Sequence, residues 1–176
     1  MLVVTAIFLL VVSAVYLVYG TSQTTIWRGG ARASVQQSIR SAVEQMRREI
    51  RNAGYDPSGT GQAGVQNPTS ASMEFITDPT DSNVSALVKY YRDATTRTLH
   101  RTVKTWNGTA WGAATDMILA RNVDALTFGY FDASGTATTS IPGMRRIKVT
   151  IQGSERVGNT PDQVQQVTTD VFLRNL

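Results

Sequence analysis

The chain contains few residues of the types that carry catalytic chemistry. His100 is its only histidine, and it has no cysteine. A zinc site or a Cys–His nucleophile pair therefore lacks the residues it needs. No serine stands in a Gly-x-Ser-x-Gly turn, and the stretch GTGQAG at 59–64 follows a predicted helix, the wrong context for a phosphate-binding loop. We expect no enzymatic activity, no cofactor and a solvated His100 on the polar face of its strand.

Two other groups of residues could bind a ligand. The segment DPTDSN at 78–83 places carboxylates and an amide in one loop, but it lacks the layout of an EF-hand, so we interpret it as a polar turn without metal. Aromatic side chains could stack nucleic-acid bases beside Arg97 and Arg101; they are Tyr90, Tyr91, Trp106, Trp111, Phe128 and Tyr130. The strand pattern assigns half of these to the core. We therefore expect no nucleic-acid partner outside a role in DNA uptake.

Residues 1–19 form an apolar segment interrupted by Thr5 and Ser13. At about 1.5 Å per residue, a helix of this length nearly spans the ~30 Å hydrocarbon core of a bilayer. The segment lacks the basic region and cleavage site of a secretory signal, and helices of soluble cores are rarely apolar on every side. We predict a helix that lies in a membrane. The first positive charges, Arg28 and Arg32, follow it, so a basic leader upstream is needed to place the remainder outside the cytoplasm.

The chain from residue 31 onward shows apolar residues at spacings of three and four, which predicts an amphipathic helix. The residues expected to pack this helix on a sheet are Val35, Ile39, Val43, Met46 and Ile50. Gly54 is a candidate C-terminal cap. We therefore predict one helix from about 2 to 53, of which 1–19 suits lipid or a filament core and 20–53 suits a protein surface.

The pattern changes beyond a loop at 58–72 to alternating apolar and polar residues, which predicts β-strands. The predicted strands are 72–77, 86–92, 97–106, 125–131, 145–153 and 166–176. In the hairpin formed by the second and third of these, we expect Arg92 opposite Arg97, which places Tyr90 opposite Leu99. The segment 116–123 is predicted as a short helical or irregular link. The expected fold is α+β, with 54–176 forming one antiparallel sheet laid on the amphipathic half of the helix.

This order of elements resembles that of type IV pilins and pseudopilins, in which a long N-terminal helix packs on a small antiparallel sheet. Four segments are similar to PilW-type minor pilins and to the J-type pseudopilins of type II secretion. They are MRREIRNAGYDPSG (46–59), YYRDATTRTLHR (90–101), ILARNVDALTFGYFDASG (118–135) and VFLRNL (171–176). The resemblance implies a pilin-like fold and a basic leader that ends in GFTLIE just before Met1.

The resemblance also implies a structural function, that of a minor pilin in the assembly or priming of a type IV pilus. Residues 54–176 would lie in the periplasm while the helix stays in the bacterial inner membrane, before assembly into the filament. The implied partners are other pilins, the inner membrane and the pilus assembly machinery. The residues expected to pack in the membrane or filament are Val3, Ile7, Leu10, Ala14 and Val18. A minor pseudopilin of type II secretion, or a membrane-tethered adhesin, is the alternative.

Overall fold

The computed structural model describes residues 2–155 and 163–175. One helix, α1 (Leu2–Arg51), is followed by β1 (Val65–Gln66), β2 (Ser72–Thr77), β3 (Ala86–Asp93), β4 (Thr98–Thr105), β5 (Thr115–Ala120), β6 (Val123–Phe131), β7 (Arg146–Glu155) and β8 (Gln163–Phe172). All strand pairs are antiparallel. The α+β class predicted from the sequence is confirmed.

The long helix α1 runs without interruption through the glycines at 20, 29 and 30. It ends at Arg51, two residues before the predicted end, and Arg48 and Arg51 in its last turn complement the negative end of the helix dipole. Gly54 then adopts φ +89°, a left-handed conformation that favours glycine. Its N–H donates to the carbonyl of Ile76 at 2.8 Å, so this residue turns the chain from the helix into the sheet.

The strands form two sheets, whereas one sheet was predicted. The first sheet has the order β1-β2-β3-β4-β5, and the second has the order β6-β7-β8. After β5 the chain turns through Asn122 at φ +60°, and the Val123 N–H donates to the Arg97 carbonyl instead of pairing with β5. Strand β6 therefore starts a new sheet, and its Phe128 N–H donates to the carbonyl of Ser70, in the segment between β1 and β2 (2.9 Å).

The segment predicted as a helical or irregular link is the edge strand β5. It was missed because Met117, Ile118, Leu119 and Ala120 are all apolar, so the alternation of a half-buried strand is lacking. Met117 and Ile118 stay exposed because β5 is the last strand of its sheet. The two-residue strand β1 lies within the predicted loop 58–72.

The register of the β3–β4 hairpin differs from the prediction by two residues. Tyr90 lies opposite Arg101 instead of Leu99, and Arg92 lies opposite Leu99. The loop begins one residue later than expected because the Asp93 carboxylate accepts hydrogen bonds from the Thr95 N–H and the Thr96 hydroxyl, both at 2.8 Å. Since the shift is an even number of residues, each side chain stays on its predicted face.

The core lies between the second half of α1 and strands of both sheets, chiefly β7, β8 and β5. Gly153 of β7 allows a close approach between helix and sheet. A Cβ atom at this position would lie 2.7 Å from Cδ1 of Ile39 and 2.6 Å from the carbonyl oxygen of Asn122. Only a residue without a side chain fits here, so Ile39 packs directly on the backbone of β7.

Candidate assembly surface

The five residues predicted to pack the helix on a sheet all lie in the hydrophobic core. Each is at most 4% exposed, and together they form one stripe along α1; they are Val35, Ile39, Val43, Met46 and Ile50. Their spacing places them on one side of the helix, and the sheets cover that side. The second half of α1 is thus an integral part of the folded domain.

The five residues predicted to pack in a membrane or filament all lie on the protein surface. They are Val3, Ile7, Leu10, Ala14 and Val18. The segment Val3–Gln23 is strongly apolar, and its most apolar stretch is not buried within the protein. By length and composition it can cross a membrane, although a signal sequence has the same properties. The described residues contain no other helix of this kind.

Polar side chains within this apolar segment bond back to the helix itself. The Ser13 hydroxyl donates to the Leu10 carbonyl at 2.9 Å, and the Thr21 hydroxyl donates to the Val18 carbonyl at 2.9 Å. A hydroxyl satisfied in this way can enter an apolar environment at low cost. The segment is therefore suited to lipid or to apolar protein on all sides.

A buried ion pair fixes the domain half of α1 to the first sheet. The Glu49 carboxylate accepts a hydrogen bond from Nε of Arg101 at 3.0 Å and another from the Tyr90 hydroxyl at 2.7 Å. The side chains of Glu49 and Arg101 are 12% and 11% exposed. Burial alone would disfavour the charge on Arg101, but the bond to Glu49 outweighs it and raises the pKa of the guanidinium. Burial and the Glu49 charge also raise the pKa of Tyr90, which stays a neutral donor.

Sequence reasoning missed this ion pair, although a signal for it exists. Glu49 lies three residues after Met46 and next to Ile50, so its position falls on the buried stripe of the helix. An acidic residue on a buried stripe requires a cationic or donor partner across the interface. Arg101 is that partner, and it lies on the face of β4 that the corrected register places opposite Tyr90.

Two further arginines join the two sheets. Nη2 of Arg97 donates to Asp124 at 2.5 Å and to the Ser154 carbonyl at 2.9 Å, and Nε of Arg92 donates to the Val123 carbonyl at 2.7 Å. The guanidinium groups of Arg97 and Arg101 thus both bind partners within the protein.

The aromatic residues considered for base stacking do not form one surface. Tyr90, Phe128 and Tyr130 are buried. Trp106 and Trp111 pack edge to face on each other, with ring centres 5.1 Å apart. Tyr91 stacks on His100 instead.

His100 and the loop at 78–83, which were considered for chemistry, both take part in hydrogen bonds within the protein. His100 is not solvated as expected, because its side chain is 13% exposed and lies between Asp116 and Thr98.

The Asp78 carboxylate accepts hydrogen bonds from three backbone N–H groups of its own loop, those of Thr80, Ser82 and Asn83. These bonds outweigh the effect of burial and lower the pKa of Asp78. Within the described ranges, no group of three His, Cys, Asp or Glu side chains is placed to hold a metal ion.

Strands β5 and β8 end their sheets and carry exposed apolar side chains. Met117 is 50% exposed on β5, and Phe172 is 67% exposed on β8. Outer strands of this kind offer backbone groups and apolar contacts to a neighbouring protein. With the exposed half of α1, they are the candidate surfaces for contact with other proteins or with lipid.

Comparison with known proteins provides no family for the chain. No protein-family model matches the sequence, and a search of functionally characterised proteins finds no match. The role of the chain is therefore inferred from its own geometry.

Proposed function

We propose that the chain is a structural minor pilin that takes part in assembling or priming a type IV pilus. The observation that carries the proposal is the division of α1. Its first half is apolar on all sides and exposed, whereas its second half is buried against a β domain. A simple membrane anchor does not require a helix that continues directly into the core of the domain.

Assembly exchanges lipid for protein around the first half of the helix. Before assembly, Val3–Gln23 lies in the inner membrane and the β domain lies in the periplasm. In the filament, Ile7, Leu10 and Val18 contact the apolar helices of other pilins. Small residues at positions 13 and 14 allow these helices to approach closely.

The buried ion pair gives the proposal a mechanical basis. Glu49 joins the helix to Arg101 and Tyr90 of the first sheet, so helix and domain move as one body. Extraction of the helix by the assembly machinery therefore carries the β domain to a defined position in the filament. The outer strands β5 and β8 can then contact neighbouring subunits.

Gene deletion and complementation test the proposal. We expect deletion to reduce surface pili, and the parent gene to restore them. A Leu10→Arg variant should fail to restore pili, because an arginine at the centre of a membrane helix costs about 2.5–3.5 kcal/mol. The matched control is Gln37→Arg, on the exposed side of the domain half, which should complement normally. Normal piliation, secretion and DNA uptake after deletion would refute the proposal.

The same strains distinguish the alternatives. Loss of type II secretion with intact surface pili identifies a minor pseudopilin. Loss of adhesion with normal numbers of pili and normal secretion identifies a membrane-tethered adhesin. Loss of pili together with complementation by Gln37→Arg, but not by Leu10→Arg, is the result expected of a minor pilin.

A further inference from the structure

A cavity of about 590 Å³ opens between the end of α1 and the end of β2. Its wall includes Arg48, Arg51 and Asn52 from the helix end, Thr77 and Asp81 from β2 and the loop that follows it, and Arg174 from the segment after β8. Cavities of this size are typical of sites that bind a small molecule or a side chain of a partner.

The wall of this cavity carries an excess of positive charge. No ion pair or hydrogen bond joins the side chains of Arg48, Arg51 or Arg174 to another described residue. Of the acidic residues in the wall, Asp78 accepts hydrogen bonds from its own loop, and Glu49 accepts them from the sheet. Three guanidinium charges therefore exceed the charge of Asp81, the remaining carboxylate of the wall.

A buried hydroxyl without a hydrogen-bond partner belongs to the same wall. Alternation along β2 places Thr77 on the face of Met73 and Phe75, which belongs to the hydrophobic core beneath α1. Thr77 is 1% exposed, and its hydroxyl oxygen has no hydrogen-bond partner among the described residues. Buried hydroxyls normally have one. The cavity thus combines cationic donors with a neutral donor whose hydrogen bond is not made within the protein.

An exposed aromatic side chain lies beside the cavity. Phe172 is 67% exposed, and it lines a neighbouring depression together with Arg47, Arg51 and Arg174. Because Arg51 and Arg174 line both depressions, the two form one surface. Aromatic residues and arginine are enriched where proteins bind each other, and they contribute much of the binding energy there. The surface therefore offers positive charge and an apolar contact side by side.

We propose that this surface binds an acidic segment of a partner protein, with a carboxylate in the arginine-lined cavity and an apolar side chain on Phe172. A guanidinium group binds a carboxylate through two parallel hydrogen bonds, which makes arginine suited to this ligand. The apolar contact on Phe172 favours a polypeptide over a free anion such as inorganic phosphate. The inference goes beyond the role in a pilus, because it requires a protein with this chemistry and no membrane.

The charges of the chain favour a partner other than a second copy. Two copies repel each other at long range, since each has a formal net charge of +4. Most acidic side chains in the described residues also bind groups within the chain; examples are Glu49, Asp56, Asp78, Asp93, Asp116, Asp124 and Asp132. A second copy thus offers few carboxylates to this surface.

Binding of a synthetic peptide to the full chain in neutral detergent micelles tests the proposal. The probe has the sequence Gly-Glu-Glu-Leu-Gly, is capped at both ends and carries a rhodamine dye whose fluorescence anisotropy reports binding. We expect salt-dependent binding that weakens about tenfold when both glutamates are replaced by glutamine. Replacement of the leucine by serine should weaken binding about fivefold. Equal binding of the glutamate and glutamine peptides, or binding of neither, would overturn the proposal.

Arginine variants locate the site of binding. Arg51→Gln and Arg174→Gln should each weaken binding of the acidic peptide about tenfold. Both residues are exposed, so their replacement leaves the hydrophobic core intact. The matched control is Arg40→Gln, which removes the same charge from an exposed position of α1 that lines neither depression. It should bind like the parent chain. An equal loss in Arg40→Gln and Arg51→Gln would show attraction by the overall charge and would overturn the proposal.

Two further measurements test the identity of the occupant. Inorganic phosphate that displaces the peptide at equal concentrations would identify a general anion site and overturn the assignment to a polypeptide. Self-association of the chain that is lost in Arg51→Gln would identify a second copy as the occupant, with the same consequence. These binding measurements and the deletion experiment have separate readouts, so the failure of one does not decide the other.

Discussion

The two halves of α1 are parts of one helix, yet they require different surroundings. Ile7 is 57% exposed and Ile39 is fully buried, although both are isoleucines in regular helix. Around Ile39 the apolar residues form a stripe, and the opposite side carries charges such as Arg40 and Glu44. Around Ile7 no charge interrupts the apolar surface. A striped helix needs one apolar neighbour, whereas a helix apolar all round needs an apolar environment on every side.

The β domain therefore covers only the second half of the helix. Both sheets together supply the partner for the second half, and the first half continues beyond them without burial. Transfer of exposed apolar surface from water releases about 25 cal/mol per Å². The first half of α1 is therefore a surface that lipid or other apolar helices are suited to cover.

The largest effect is expected when the buried ion pair that holds the second half of α1 to the sheet is broken. Glu49→Gln leaves the Arg101 charge buried without a counter-charge, so we expect a loss of about 3–5 kcal/mol in the free energy of unfolding. Denaturant unfolding of the full chain in micelles, followed by tryptophan fluorescence, measures it. The control Glu44→Gln removes an exposed pair with Arg47 and should cost less than about 1 kcal/mol. Equal effects in both variants would show that the Glu49 pair is not buried.

The same isoleucine-to-alanine substitution in each half of α1 compares the two halves directly. Ile39→Ala should destabilise the domain by about 2–5 kcal/mol, because it leaves a cavity beneath β7. Ile7→Ala should change the same unfolding free energy by less than about 0.5 kcal/mol, since no part of the domain covers Ile7. The same unfolding experiment compares them, and similar losses in both variants would contradict the division of α1.

A smaller effect is expected where the helix touches the sheet backbone. Gly153→Ala places a methyl group against Ile39 and the Asn122 carbonyl, and overpacking of this kind costs about 1–3 kcal/mol. Gly29→Ala is the control, because a Cβ atom there meets no atom within 4 Å. If Gly153→Ala were as stable as the parent, the close approach of helix and sheet would be disproved.

The smallest effect concerns the turn that leads from α1 into the sheet. Burial opposes the charge of Asp56, but hydrogen bonds from Ser85 and Thr60 outweigh it and lower the pKa of this carboxyl. A lowered pKa contributes stability at neutral pH that is lost as the pH falls below about 4. Asp56→Asn should therefore reduce stability at pH 7 and weaken its dependence on pH between about 4 and 2. A parent-like slope in Asp56→Asn would disprove the role of Asp56.

Much of the fold could be predicted because it follows from local patterns of apolar and polar residues. The stripe from Val35 to Ile50 specifies the domain half of α1, and alternation specifies strands such as Ser72–Thr77. Strand β5 lacks alternation because residues 117–120 are all apolar. The two-sheet arrangement depends on hydrogen bonds between residues far apart, such as Val123 with Arg97. Patterns along a sequence contain no information on such pairings.

The candidate assembly surface was partly predictable for the same reason. Residues 1–19 are apolar along their whole length, so the composition of this segment is enough to identify the exposed half of α1. The Glu49–Arg101 pair depends on how β4 lies against α1, and the predicted register of the β3–β4 hairpin was in error by two residues. A register error of this size preserves the faces but changes every cross-strand pair.

Spin labelling in lipid vesicles tests the division of α1 most directly. Because the chain has no cysteine, a single cysteine can carry a label at Leu10 or at Gln37 without altering any native thiol. We expect the label at position 10 to be accessible to oxygen and protected from a water-soluble nickel complex, and the label at position 37 to show the reverse. Equal access of the nickel complex to both positions would contradict the account.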